Sequence, residues 1–166
     1  MKYLLDTNTC IALMRRNIQV RARIERLHPG DCAVSSITAF ELYHGLERCS
    51  QPERERAKID ELLAVVAVLA FGDAEAARVA KVRHSLEQTG NAIGPFDVLI
   101  AGHALHAELI LASNNTREFS RVNGLTIAER GRENIPAARK GGGGAPGGIT
   151  KLELGNEESG QRLTGF

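Results

Sequence analysis

A chain of 166 residues, 43% hydrophobic and 25% charged, is long enough for one domain with a real core. A formal net charge of +1 excludes a polybasic nucleic-acid sponge and an acidic tail protein, while leaving room for a local basic rim against a phosphate backbone. Cys10, Cys32 and Cys49 are odd in number and share no CxxC or Cys/His spacing, so they read as buried thiols of a reducing compartment and not as a disulfide frame or zinc site. The chain opens directly on a strand-like run, without a signal-peptide pattern, and no apolar stretch reaches membrane-spanning length. A cytoplasmic protein with no membrane partner is the expectation.

Residues 3–5 form a short apolar strand that stops at Asp6-Thr7-Asn8, and residues 9–16 read as a short helix. Residues 18–27 carry apolar positions at helical spacing, and Pro29-Gly30-Asp31 is a turn. A second strand at 32–35 precedes a helix at 37–48. Pro52 suits the first turn of the next helix, where Glu53 and Glu55 complement the dipole, and that helix runs to about residue 63. A third strand falls within 65–71, a helix starts at Asp73 and ends at Gly90, and Pro95 opens another that reaches about 108. Residues 109–113 form a fourth strand and 125–127 a fifth. Strands alternating with helices imply crossover connections and a mostly parallel sheet, with ligands gathered beyond the carboxyl ends of its strands. Residues 1–130 are expected to form the domain, with a polar then Gly-rich linker at 131–148 and a disordered tail at 149–166.

Four acids stand where apolar runs change character: Asp6, Glu41, Asp97 and Glu118. Each has a structural explanation. Asp6 could cap the following helix, Thr38 with Glu41 and Asn115 with Glu118 have capping-box spacing, and Asp97 lies in a first helical turn after Pro95. Asp6 and the 114–118 segment are nevertheless expected on one sheet edge. Glu41 between Phe40 and Leu42, and Asp97 between Phe96 and Val98, look like charges in apolar surroundings that need a partner or a metal. Three or four carboxylates without nearby His or Cys suit Mg2+ or Mn2+, hard ions that prefer oxygen ligands and keep several waters.

Leu5-Asp6-Thr7-Asn8-Thr9-Cys10-Ile11 resembles the opening motif of PIN-domain ribonucleases, specifically the VapC toxins of bacterial toxin–antitoxin pairs. Ser35-Ser36-Ile37-Thr38-Ala39-Phe40-Glu41-Leu42 resembles their second motif, Gly94-Pro95-Phe96-Asp97-Val98-Leu99-Ile100-Ala101-Gly102-His103-Ala104 the third, and Ser113-Asn114-Asn115-Thr116-Arg117-Glu118-Phe119 the fourth. The resemblance covers about residues 1–130. It implies a PIN-like three-layer α/β fold, with a mostly parallel central sheet of four to five short strands flanked by helices. It also implies a type II toxin acting as a Mg2+-dependent endoribonuclease, with Mn2+ an alternative ion, that hydrolyses RNA phosphodiester bonds. The implied partners are a homodimer mate and a small antitoxin that masks the acidic groove. By motif position, Asp6, Glu41, Asp97 and Glu118 are the catalytic acids. Asp6 and Asp97 would hold the metal, with Glu41, Asn115 and Glu118 able to reach it directly or through water. Many PIN domains carry an acid where Asn115 stands, which puts a second metal site in doubt. Toxins of this subgroup resemble enzymes that cut transfer RNA in the anticodon loop, and the initiator transfer RNA is the expected target.

Thr7, Asn8 and Ser36 are candidates to hydrogen-bond the carboxylates and their waters. Arg15, Arg16, Arg83, His84, Arg117 and Arg121 are candidate phosphate contacts, each also explicable as solvated surface. His103 and His106 fit structural roles, and Cys10 a small buried residue. Aromatics make up 4% of the chain, which argues against an extended base-stacking platform. Two rival functions stand beside the nuclease. A haloacid-dehalogenase-type phosphatase needs an acid where Asn8 stands. A catalytically weak PIN-like RNA- or antitoxin-binding module would keep the fold and lose cleavage.

Overall fold

The structure is a computed structural model that describes residues 1–15 and 30–128. The expected helix at 18–27, the candidate Arg16, and the linker and tail after residue 130 lie outside the described residues. The described elements are β1 (Tyr3–Leu5), α1 (Thr7–Met14), β2 (Cys32–Ser35), α2 (Ser36–Leu46), α3 (Pro52–Val65), β3 (Ala67–Leu69), α4 (Asp73–Gln88), α5 (Pro95–His106), β4 (Ile110–Ala112), α6 (Thr116–Phe119) and β5 (Ile127–Ala128). The strands form one sheet in the order β3-β2-β1-β4-β5. Every pairing is parallel. The expected parallel sheet with flanking helices is therefore the observed architecture.

Alternation along the strands explains the layers. Leu4, Ala33 and Leu111 face one side, where Val79 and Leu86 of α4, Val98, Ile100, Ala101 and Ala104 of α5, and Phe119 of α6 complete a buried cluster. Tyr3, Leu5, Cys32 and Val34 face the other, against Cys10 of α1, Leu42 of α2 and Ile59 of α3. With both faces covered, the short strands read as continuous apolar runs, as buried parallel strands do. Helices α4 and α5 approach closely at Gly102, where a Cβ would stand 2.9 Å from the Val79 Cα and 2.3 Å from its Cγ2. No side chain fits there.

Element ends differ from the sequence expectation where side chains or paired strands decide them. Helix α1 begins at Thr7, two residues early, because Asp6 adopts extended backbone and its carboxylate accepts from Thr9 N. Helix α2 begins at Ser36 because the Ser35 hydroxyl accepts from Ile37 N. That placement puts Glu41 inside the helix and removes it from any capping box with Thr38. Helix α5 stops at His106, short of 108, where Glu108 takes the left-handed φ of 54°. Strand β5 lies at 127–128, beyond the expected start at 125, because its register pairs Leu111 with Ile127 and Ala112 with Ala128.

Register sets up the functional edge. Leu5 pairs with Val34 on one side and Ala112 on the other, so Asp6 and Ser113, just beyond β1 and β4, stand level with Ser35 at the carboxyl end of β2. Asp6 N donates to Ala112 O at 3.2 Å, which extends the ladder by one bond and fixes the height of its side chain.

Candidate active site

Asp6 is buried, with 3% exposure, at the end of the central strand. Its Oδ1 accepts from Thr9 N at 2.6 Å and its Oδ2 accepts from Ser113 Oγ at 2.5 Å. The Ser113 hydroxyl also accepts from Asn115 N at 2.9 Å, so one side chain ties β1 to the turn after β4. Thr9 adds a second tie, its Oγ1 donating to Ala112 O at 2.9 Å. These two donors satisfy both oxygens of the buried carboxylate.

Glu41 reaches this edge from α2. Thr7 Oγ1 donates to Glu41 Oε2 at 2.5 Å, which brings the second-motif acid alongside the residue that follows Asp6. Asp97 comes from the first turn of α5, with its Oδ2 accepting from Asn115 Nδ2 at 3.3 Å. Glu118, from α6, accepts from Gly94 N at 3.3 Å and thereby bridges to the start of α5. Asn115 and Glu118 consequently do not close on each other as a capping box: the Asn115 side chain caps nothing and points to Asp97.

Electrostatics tie the acids into one group. The Asp97 carboxyl is pushed up to about 6, first by burial, then by a hydrogen bond shared with Glu118 and by the charges of Glu118, Glu41 and Asp6. Glu118 is held below the ordinary carboxylate range, first by the Gly94 N–H and then by its hydrogen bond with Asp97. Asp97 is therefore the member of this pair that takes up a proton first as pH falls, and Glu118 keeps its charge to lower pH. All four acids contribute to one local field, and its negative surplus favours a cation.

The donor set is all oxygen, which matches a hard divalent ion. Among the described residues no three carboxylate, imidazole or thiol groups converge closely enough to ligate one ion directly. The hydrogen bonds explain why: Asp6 spends both oxygens on Thr9 and Ser113, and Glu41 faces Thr7. Mg2+ is commonly held by one or two carboxylates with several waters, so this arrangement fits a largely hydrated ion.

Other expectations divide. Thr7 bonds a site carboxylate, whereas Ser36 accepts from Phe71 N at 3.1 Å and secures the chain after β3. Asn8 is exposed. The apolar setting expected around Glu41 and Asp97 is only half present: Leu42 and Val98 are buried, but Phe40 and Phe96 are 49% and 40% exposed. Arg83 is paired with Glu87 and Arg121 donates to Ala92 O, while Arg15, His84 and Arg117 are exposed. His103 is buried, its Nδ1 2.9 Å from Ser35 Oγ, and His106 lies 3.3 Å from Glu75. Burial drives the Cys10 thiol far above its usual range, which rules it out as a ready nucleophile. Sequence reasoning missed Ser113 and Thr9 as supports of Asp6. A serine closing the expected 109–113 strand was the available signal, and only the register with β1 reveals its partner.

The chain is similar to known proteins. A family model described as PIN domain matches residues 3–125. A relative from Shigella flexneri, named tRNA(fMet)-specific endonuclease VapC, is 41% identical over 126 residues, covering 75% of this chain and 95% of the relative. Ribonuclease VapC2 of Haemophilus influenzae is 40% identical over 126 residues, with the same coverage of 75% and 95%. Among solved structures, VapBC2 from Rickettsia felis bound to a DNA fragment from its promoter superposes with a TM-score of 0.74 at 30% identity, over 78% of this chain and 98% of that one. DNA-bound VapBC from Salmonella typhimurium gives 0.74 at 35% identity, with the same coverage of 78% and 98%.

Proposed function

The chain belongs to the PIN-domain family, and from that premise we propose that it is a VapC-type endoribonuclease, the toxin of a toxin–antitoxin pair. One observation carries the reading: hydrogen bonds bring the four acids to the edge of the sheet where this topology gathers ligands, Ser113 holding Asp6, Thr7 holding Glu41, Asn115 holding Asp97 and Gly94 N holding Glu118. Asp6 and Asp97 would hold a divalent ion, Mg2+ or Mn2+, with Glu41, Asn115 and Glu118 reaching it directly or through water. When bound, such an ion supplies charge neutralisation at the scissile phosphate and acidifies water for attack.

The protein's own groups have separate tasks. Ser113 and Thr9 N fix the Asp6 carboxylate, and Thr7 orients Glu41. Asn115 is a neutral donor that holds Asp97 and adds no charge of its own to the site. The proton that the Asp97–Glu118 pair takes up as pH falls through about 6 sits on Asp97, where it would compete with a bound cation.

The name of the Shigella relative, tRNA(fMet)-specific endonuclease VapC, supports initiator transfer RNA as the substrate. The Rickettsia and Salmonella structures are VapBC complexes, which supports a cognate antitoxin as partner. A homodimer is proposed with them. Among the described residues no helix is long and apolar enough to cross a membrane.

Purified protein incubated with initiator transfer RNA should cut it with Mg2+ or Mn2+ and leave it whole in chelator. Unchanged cleavage in chelator would remove the metal-dependent mechanism. Intact RNA under every metal, from protein shown free of antitoxin, would favour the binding-module alternative.

A further inference from the structure

Five phenylalanines, two tyrosines and no tryptophan are all the large aromatics of this chain. Phe119 is fully buried and Phe71 packs against the core, yet Phe40 and Phe96 are left 49% and 40% exposed and lie together, ring centroids 5.6 Å apart at 45°. His44, exposed one helical turn after Phe40, stacks on that ring at 5.8 Å and 15°. Phe40 immediately precedes Glu41, and Phe96 immediately precedes Asp97. Neighbours on a helix are separated by about 1.5 Å of rise and about 100° of turn, so each ring leaves the backbone at the level of a site acid but turned outward from it. One exposed phenylalanine is ordinary; two that meet from different helices at the edge of an acidic site are not.

Resting on the ribonuclease reading, we propose that Phe40, Phe96 and His44 form a stacking surface for an unpaired base of the RNA next to the scissile phosphate. A base is the occupant this patch fits. The neighbouring carboxylates repel phosphate, whereas a neutral aromatic face attracts a base irrespective of its sequence. His44 already stacks on Phe40, and the tilt between the two phenylalanine rings keeps them from closing face to face, so the surface open to a base is the half or so of each ring that stays exposed. Unstacked bases of single-stranded loops are the parts of a folded RNA that present such faces. A low aromatic fraction thus excludes a long stacking platform without excluding a local one.

The test uses Phe40→Leu, Phe96→Leu and the double variant, which keep apolar bulk and remove the rings, with Phe96→Tyr as the variant that retains one. Cleavage of an initiator transfer-RNA transcript in Mg2+ is followed for kcat and KM. Photo-crosslinking of the same transcript carrying 5-iodouridine, with Ca2+ in place of Mg2+, reports which peptides meet its bases. Stacking predicts a loss of kcat/KM of about 10- to 100-fold in the double variant. Most of that loss should fall on KM, with retention in Phe96→Tyr and crosslinks on the peptides of Phe40, His44 or Phe96. Cleavage by the double variant at the wild-type rate, with crosslinks elsewhere, would overturn the proposal while leaving the ribonuclease intact. Wild-type cleavage accompanied by a change of sedimentation in the variants would assign the patch to a protein contact and overturn it as well. A wild-type chain that cuts no RNA fails the ribonuclease reading, and its crosslinks still decide whether bases meet these rings.

Discussion

Ser113 Oγ donates to Asp6 Oδ2 across the seam between β4 and β1, joining two residues 107 positions apart. The same hydroxyl accepts from Asn115 N, so it sets both the central carboxylate and the turn that carries Asn115. Replacing it with alanine leaves a buried carboxylate oxygen with one partner fewer. The expected cost for Ser113→Ala is about 1–3 kcal/mol of stability, read by denaturant unfolding. Cleavage should fall about 10- to 100-fold as Asp6 loses its orientation. Thr7→Ala, acting on half-buried Glu41, should lower activity with less effect on stability.

The Asp97–Glu118 pair predicts an unusual pH dependence of stability. Because Asp97 is raised from 3.8 to about 6 in the folded chain, its protonated carboxyl contributes stability that is full below about 3.8 and lost as pH rises through about 6. Asp97→Asn has no such loss. In chelator at pH 7.5 or so the variant should be more stable than wild type by up to about 1 kcal/mol, allowing for solvent screening at a half-exposed site. Melting temperatures measured down to about pH 4 should converge.

Activity should rise with pH for the same reason. The ionised form of Asp97 is the one that favours a cation, so cleavage at limiting Mg2+ should increase as pH passes through about 6. More Mg2+ should move that rise to lower pH, since cation and proton compete for the carboxylate. Glu118→Gln removes a charge that raises Asp97 and should shift the profile in the same direction. A midpoint independent of Mg2+ would contradict the competition.

Most of the sheet was legible because apolar runs, prolines and glycines mark its parts: the 32–35 run is β2 as observed, and Pro52 and Pro95 open α3 and α5. The four acids were legible as candidates through their positions after or beside those runs. Topology joined only Asp6 to the 114–118 segment and the resemblance joined all four; the contacts that hold them were not legible, since they depend on the register of β1 with β2 and β4 and on Thr7 bonding Glu41 across 34 residues. Phe40 and Phe96 show the limit most clearly. Adjacent apolar letters suggested burial around Glu41 and Asp97, but helical geometry turns consecutive residues about 100° apart, and the rings face outward. Gly102 likewise reads as an ordinary helical glycine until α4 is seen against it.

That last contact yields a prediction for folding alone. Gly102→Ala would place a methyl group against the Val79 backbone, so α4 and α5 must separate. A loss of about 1–3 kcal/mol is expected, seen as a lower melting temperature, with the catalytic acids chemically unchanged. Val79→Ala in the same chain should recover part of it, because the nearest collision is with the Val79 side chain.

The central claim is that Asp6 and Asp97, at the end of β1 and the start of α5, serve one divalent-cation site. Mn2+ binding followed by electron paramagnetic resonance tests it without depending on RNA. The account predicts saturable binding by the wild-type chain that Asp6→Asn and Asp97→Asn each weaken by more than about ten-fold. Equal Mn2+ affinity in the wild type and both variants would contradict it.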